Sequence, residues 1–183
     1  MNHRQNKLEN SARLADLSPQ ETLLKIGLGE HDIMCDIGAG SGIFTVPAAR
    51  ITKNAVYAIE INDEFIDIIN EKARSEKLSN IKTLRVSDDH YDLDTASVDL
   101  AVLVTVFHEI DQKEPVLAEI KRVLKSTGKL AFIEFHKRET PMGPPVEHRI
   151  SREEVIRICG ANGFLVLNEF DVGDNFYCIV MGK

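Results

Sequence analysis

No stretch of this 183-residue sequence approaches the run of about 20 apolar residues that a bilayer-spanning helix requires. Its first residues, Met1-Asn-His-Arg-Gln-Asn-Lys7, are polar and lead into no apolar segment of the secretory kind, so a cytoplasmic location is expected. Cysteine is scarce. Cys35, Cys159 and Cys178 are odd in number, lack Cys-x-x-Cys spacing and lie in apolar stretches, which points to buried reduced thiols and away from a zinc site. Positive charge is in deficit: 22 Lys and Arg against 29 Asp and Glu leave a net charge of −7, a surface that repels phosphate backbones and turns the expected substrate away from nucleic acid. Internal repeats and low-complexity tracts are missing as well, so one domain over 18–183 behind a polar tail over 1–17 is the expected organisation. With 43% apolar and 28% charged residues, a chain of this size can close a core without disulfide or metal staples.

What is present is an alternation of short apolar runs and helical patterns. Ser18-Pro19-Gln-Glu21 reads as a cap, a proline at the first helical position and an acid in the first turn, opening a helix to about residue 25. Ile33-Met-Cys-Asp-Ile37, Ala55-Val-Tyr-Ala-Ile59, Ile81-Lys-Thr-Leu-Arg-Val86, Val98-Asp-Leu-Ala-Val-Leu-Val104 and Lys129-Leu-Ala-Phe-Ile-Glu-Phe135 read as buried strands. Helical patterns over 43–51, 63–77 and 114–124 lie between them, the first interrupted by Pro47, which implies a kink or an early-turn position. Such alternation predicts an α/β, doubly wound, Rossmann-like sheet with crossover helices on both faces. After a helix over 151–159 the rhythm changes: the runs 164–170 and 176–180 are separated by a short turn with Gly173, so a hairpin and one antiparallel strand are expected.

The segment Asp36-Ile-Gly-Ala-Gly-Ser-Gly42 places three alternating glycines between the first strand and a helix. Such a turn lets a ligand touch the backbone and aims free N–H groups at it, although a tight turn whose glycines serve geometry alone gives the same pattern. Glu60 follows the second strand, where a carboxylate can accept bonds from both ribose hydroxyls of an adenosine. A dinucleotide fingerprint would need glycine at Ile43, and pyrophosphate would be repelled by Asp36. A ligand with a sulfonium and an α-ammonium would be attracted by it.

On these residues the chain resembles the class I S-adenosylmethionine-dependent methyltransferases, over about residues 18–183. The resemblance implies seven strands in the order 3-2-1-4-5-7-6 with the last antiparallel. It implies S-adenosylmethionine as cofactor and S-adenosylhomocysteine as product, held by Asp36, Gly38, Gly40, Gly42, Glu60, Ile61, Asp88, Asp89 and Val104. Asp88 is the better match to the acid near the adenine. The segments Phe107-His-Glu-Ile110, 119–128 and Glu134-Phe-His136 look most like the small-molecule, type 11 branch that includes ubiquinone and menaquinone biosynthesis enzymes. Ser87 departs from the glycine usual there, and the amino-terminal region is short.

The partner implied is a small organic acceptor with an oxygen, nitrogen or carbon nucleophile. His108 is the candidate general base, with packing or helix capping as its alternative role. The charged, proline-rich connection 136–149 reads as a lid or as a solvated crossover, and His136, His148 and Arg149 are candidates to touch an acidic acceptor. His3, His31 and His90 read as surface residues. No metal site is expected. A nicotinamide-dinucleotide reductase and a non-catalytic cofactor-binding module remain as alternatives. A hydrolase elbow is rejected because Gly38-Ala-Gly-Ser-Gly42 lacks a central serine.

Overall fold

The computed structural model describes Gln5, residues 8–86 and residues 90–183. Its strands are β1 (Met34–Ile37), β2 (Val56–Glu60), β3 (Ile81–Arg85), β4 (Val98–Val104), β5 (Leu124–Phe135), β6 (Leu165–Val172) and β7 (Phe176–Gly182). They form one sheet in the order β3-β2-β1-β4-β5-β7-β6. The pairs among β1 to β5 are parallel, and β7 runs antiparallel to both β5 and β6. The expected sheet order and terminal hairpin are therefore present.

Among the described residues, the α-helices that flank the sheet include α1 (Ser11–Leu17), α2 (Pro19–Ile26), α3 (Thr45–Ile51), α4 (Asp63–Ser75), α5 (Lys113–Val123) and α6 (Arg152–Ala161). The two-residue period of the strands divides the core. Leu100, Val102, Ala131 and Ile133 pack with Leu17, Leu23 and Phe44 of the α1 to α3 side. Ala101, Leu103, Leu130 and Phe132 pack with Leu117, Ile120 and Val155 of the α5 and α6 side. Both faces of the central strands are covered, which is why those strands are apolar apart from a few acids such as Asp36 and Glu134.

Several boundaries differ from the sequence reading. Residues 11–17, expected as part of a polar tail, form α1, because the Asn10 side chain accepts from the Ala12 and Arg13 N–H groups and Leu17 is wholly buried. Pro47 is the third residue of α3, where its missing N–H would have no intrahelical partner, so the early-turn alternative holds. Strand β5 begins at Leu124, five residues before the expected start at Lys129, since α5 passes directly into it and Leu124 pairs with Val98 ahead of a register shift. Helix α6 opens on a capping box between Ser151 and Glu154.

All three cysteines are free and buried, and burial pushes the Cys159 and Cys178 thiols up to about 12, so they are inert packing groups. Among the described residues no helix is long and apolar enough to cross a membrane.

Phe132, fully buried with its ring 4.7 Å from that of Phe107, lies beneath the functional end of β4 and β5. Phe132→Ala is expected to lower unfolding free energy by about 3–5 kcal/mol, read as a reduced midpoint in chemical denaturation with an unchanged slope.

Candidate functional site

The site forms at the carboxyl ends of the parallel strands. Gly38, Gly40 and Gly42 have φ of +70°, +53° and +80°, a left-handed run that strains any other residue. A Cβ on Gly38 would lie 2.6 Å from the Val106 side chain, and one on Gly40 would lie 3.1 Å from Leu8. The bend is thus bare backbone facing the segment after β4 and the residues before α1. Its start is fixed to the sheet by Gly38 and Ala39, whose N–H groups donate to Ile59 O at 2.9 and 3.0 Å.

Asp36 is 2% exposed, and the Thr45 hydroxyl donates to its Oδ2 at 2.6 Å. Burial raises its pKa to about 6, with the charge of Glu60 adding to the rise and the Thr45 hydrogen bond opposing it. No cation pairs with it among the described residues. It lines a nook of about 30 Å³ together with Leu8, Arg13, the glycine bend, Phe44 and Val104.

Glu60, at the end of β2, points into the bend: its Oε2 accepts from Gly40 N at 2.7 Å. Its Oε1 accepts from the Ile61 and Asn62 N–H groups at 2.9 and 3.0 Å. A carboxylate offers about four lone-pair positions, so one remains, whereas the sequence reading expected two ribose hydroxyls to be served. Ile61 is largely exposed beside it, and Val104 reaches the nook from β4. Asp88 and Asp89, with Ser87, lie outside the described residues.

A second constellation adjoins the first. His108 occupies a 3-10 turn, Phe107–Glu109, and its Nδ1 lies 2.8 Å from Glu134 Oε2 at the end of β5, while its backbone N–H donates to Glu134 Oε1 at 3.2 Å. Both side chains are almost wholly buried. Burial works against the charged imidazole, but the hydrogen bond and charge of Glu134 outweigh it, and the His108 pKa is raised. His108 opens onto a cavity of about 610 Å³ whose walls include Lys113, Lys137, Glu147, His148 and Ile158.

The connection 136–149 borders this cavity, but Arg149 is not free to meet an acceptor. Its guanidinium donates to Pro144, His136, Arg138 and Met142 carbonyls and to the Thr140 hydroxyl, so it staples the loop from within. His136 Nε2 is 3.4 Å from Asp171, while exposed His148 remains on the cavity wall. His31 and His90 are at the surface, as expected, and His3 lies outside the described residues.

Sequence reasoning missed two members of this region. Glu134, an acid ending an apolar strand, could have been singled out on that ground, since a charge there needs a partner. Arg13 carried no signal, because its burial depends on where α1 packs.

A model of the methyltransferase domain family matches residues 35–132, more than half of the chain. The chain belongs to that family. Within it, the chain falls in the type 11 branch of the class I S-adenosylmethionine-dependent methyltransferases. It is similar to a solved S-adenosylmethionine-dependent methyltransferase from Aquifex aeolicus, with TM-score 0.92 and 29% identity, covering 97% of this chain and 96% of that one. A putative type 11 methyltransferase from Sulfolobus solfataricus matches with TM-score 0.75 and 28% identity, covering 90% and 91%. Among curated proteins, the ubiquinone/menaquinone biosynthesis C-methyltransferase of Marinomonas sp. (strain MWYL1) is 24% identical over 155 residues, which is 83% of this chain and 60% of that protein. The chain thus spans less than two thirds of that curated relative. These matches do not favour the dinucleotide reductase.

The raised Asp36 pKa has a consequence for stability. Its neutral form is favoured on folding, so its contribution is intact below pH 4 and is lost as pH rises through about 6. Asp36→Asn is therefore expected to melt near the wild-type temperature at pH 4 and to be more stable than the ligand-free wild type by about 3 kcal/mol at pH 7, measured by thermal unfolding across that range.

Proposed function

We propose that the chain transfers a methyl group from S-adenosylmethionine to a small organic acceptor, and that Asp36, Gly38, Gly40, Gly42, Glu60, Ile61 and Val104 hold the cofactor, with Asp88 and Asp89 in the same role. The observation that carries this reading is a sealed carboxylate, Asp36, without a cation among the described residues and beside a bend of bare backbone. Those residues fit the cofactor: Asp36 complements an ammonium or sulfonium, Glu60 retains an acceptor for a ribose hydroxyl, and the glycines leave room for close approach. When bound, the cofactor supplies an electrophilic methyl on positive sulfur.

The protein's own contribution is to position, to exclude water and to move a proton. Leu8 closes the nook over Gly40, and Lys72 ties the same arm down by donating to Glu9 at 2.8 Å and to Ser41 O at 2.7 Å. A nook of 30 Å³ is far smaller than the cofactor, so the arm withdraws for loading and returns afterwards. The acceptor occupies the larger cavity, whose mixed charges suit a polar small molecule. There His108 takes a proton from an acceptor that has one to lose, and Glu134 fixes the ring and stabilises the imidazolium.

Calorimetry with S-adenosylmethionine and S-adenosylhomocysteine tests the reading; heat with micromolar affinity is expected, and none at millimolar ligand would end it. Labelled cofactor incubated with acceptor extracts, followed by mass spectrometry, identifies the product. If labelled product never forms although the cofactor binds, the non-catalytic module takes its place.

With that acceptor in hand, the transfer rate is expected to rise with pH through a pKa above the ordinary imidazole range, because His108 must be neutral to accept a proton. Glu134→Gln should move the profile to lower pH, and His108→Ala should cost roughly 100-fold in kcat with little change in cofactor affinity. An unshifted profile in Glu134→Gln would assign the pair to packing alone.

A further inference from the structure

Strand β6 closes one edge of the sheet, pairing with β7 on one side and with no strand on the other among the described residues. It begins with three consecutive exposed apolar residues, Leu165, Val166 and Leu167, the first and last 71% and 58% exposed. An open edge offers unpaired N–H and C=O groups to another strand, and charges or a cover usually blunt it. Here the charges come only at the far end, where Glu169 and Asp171 accept from Arg152 of α6. A register shift between Val166 and Asn168 decides which way each side chain points. Val166, Glu169 and Asp171 lie opposite Met181, Ile179 and Tyr177, on the α5 and α6 side. Asn168 and Phe170 lie opposite Val180 and Cys178, on the α1 to α3 side. Leu165 faces that same side opposite Gly182, and so does Leu167, because a Cβ on Gly182 would lie 3.1 Å from Leu167 Cδ1. Helix α2 covers this side as far as Phe170, whose ring centre is 4.0 Å from Lys25 Nζ, and Leu165 and Leu167 are left in solvent.

These placements make β6 complementary to itself. Two antiparallel copies related by a two-fold axis normal to the sheet keep each face on its own side, so opposed residues must share a face. Because of the shift, one register satisfies this along the whole strand. It sets Leu167 opposite Asn168, Val166 opposite Glu169, Leu165 opposite Phe170 and, just before the strand, Phe164 opposite Asp171. Leu165, Leu167 and Phe170 of both copies then form one apolar patch on the α1 to α3 side. On the other side Asp171 reaches Phe164 of the second copy, where Lys121 Nζ of α5 lies 5.7 Å from the ring centre and donates to the Asn162 and Gly163 carbonyls. The Asp171 side chain is 64% exposed, so it has room for a second cation beside Arg152. The basic start of one strand thus meets the acidic end of the other, twice in each pair. We propose that the chain forms a two-fold dimer by antiparallel pairing of β6 with β6 of a second copy, joining two seven-stranded sheets into one.

The test is sedimentation velocity of the full chain from micromolar to hundreds of micromolar, in physiological salt that screens the repulsion between copies of net charge −7. Wild type should show a species of twice the chain mass that grows with concentration. Leu165→Lys and Leu167→Lys, at exposed positions, should each raise the dimer dissociation constant at least about 10-fold with an unchanged circular dichroism spectrum. Lys121→Asp and Asp171→Lys should each weaken the dimer about 5-fold, and the chain carrying both should recover most of that loss, because the exchanged pair re-forms across the axis. The leucine variants carry the test if the charge-exchanged chains do not fold. Wild type that stays monomeric at the highest concentration overturns the proposal. So does a dimer indifferent to both leucine variants, which would place the contact on another surface. Loss without recovery in the folded, doubly exchanged chain overturns the register and with it the antiparallel pairing.

Discussion

Asp36 is an ionisable carboxylate sealed from water and held by Thr45 alone among the described hydrogen bonds, and the surrounding architecture keeps it in that state. It is placed by β1, which lies between β2 and β4 at the point where the strand order reverses. In open parallel sheets that reversal opens a crevice beyond the strand ends. The glycine bend turns the chain out of the crevice without side chains, and Glu60 grips the bend through Gly40. A core position that would otherwise be filled by an apolar residue therefore carries a carboxylate whose ionised form burial penalises.

The same arrangement keeps two cavities apart at one end of the molecule. Asp36 faces the α1 to α3 side of the sheet with Thr45, while Glu134 shares the opposite face with Tyr177 and His108. The ends of β1 and β4 thus line a small nook on one side, and the His108 turn faces a larger cavity on the other. Thr105, held in a left-handed backbone conformation with φ of +54°, connects them: its N–H donates to Ile133 O and its hydroxyl accepts from Arg13. Backbone strain of this kind persists where surrounding contacts over-determine it, and it is concentrated at functional sites.

The loop 136–149 illustrates how a plausible ligand contact can turn out to be internal. Arginine in a charged loop near a candidate site invites assignment to an acidic substrate. Here its planar donors are consumed by the carbonyls of the loop it closes, which makes the cavity wall firm rather than adhesive. Helix α1 is held in a comparable way, since Asp16 accepts from the Asp174 and Asn175 N–H groups of the β6 to β7 turn. That anchor at one end and the Glu9 to Lys72 pair at the other stretch the arm across the strand ends.

Hydrophobic periodicity in the chain was enough to determine the strands, their crossover helices and the terminal hairpin, because the central strands, buried on both faces, write near-continuous apolar runs, parallel neighbours require intervening helices, and a short glycine turn joins the two terminal apolar runs. The glycine spacing with Asp36 and Glu60 was equally legible, since left-handed turns and acids at strand ends depend on local sequence. Tertiary packing alone decided that Arg13 enters the nook, that Glu134 grips His108 and that Arg149 is spent on its own loop. Those contacts join residues distant in sequence or depend on how a short helix seats against the sheet, and no local pattern encodes which buried charge will meet which partner.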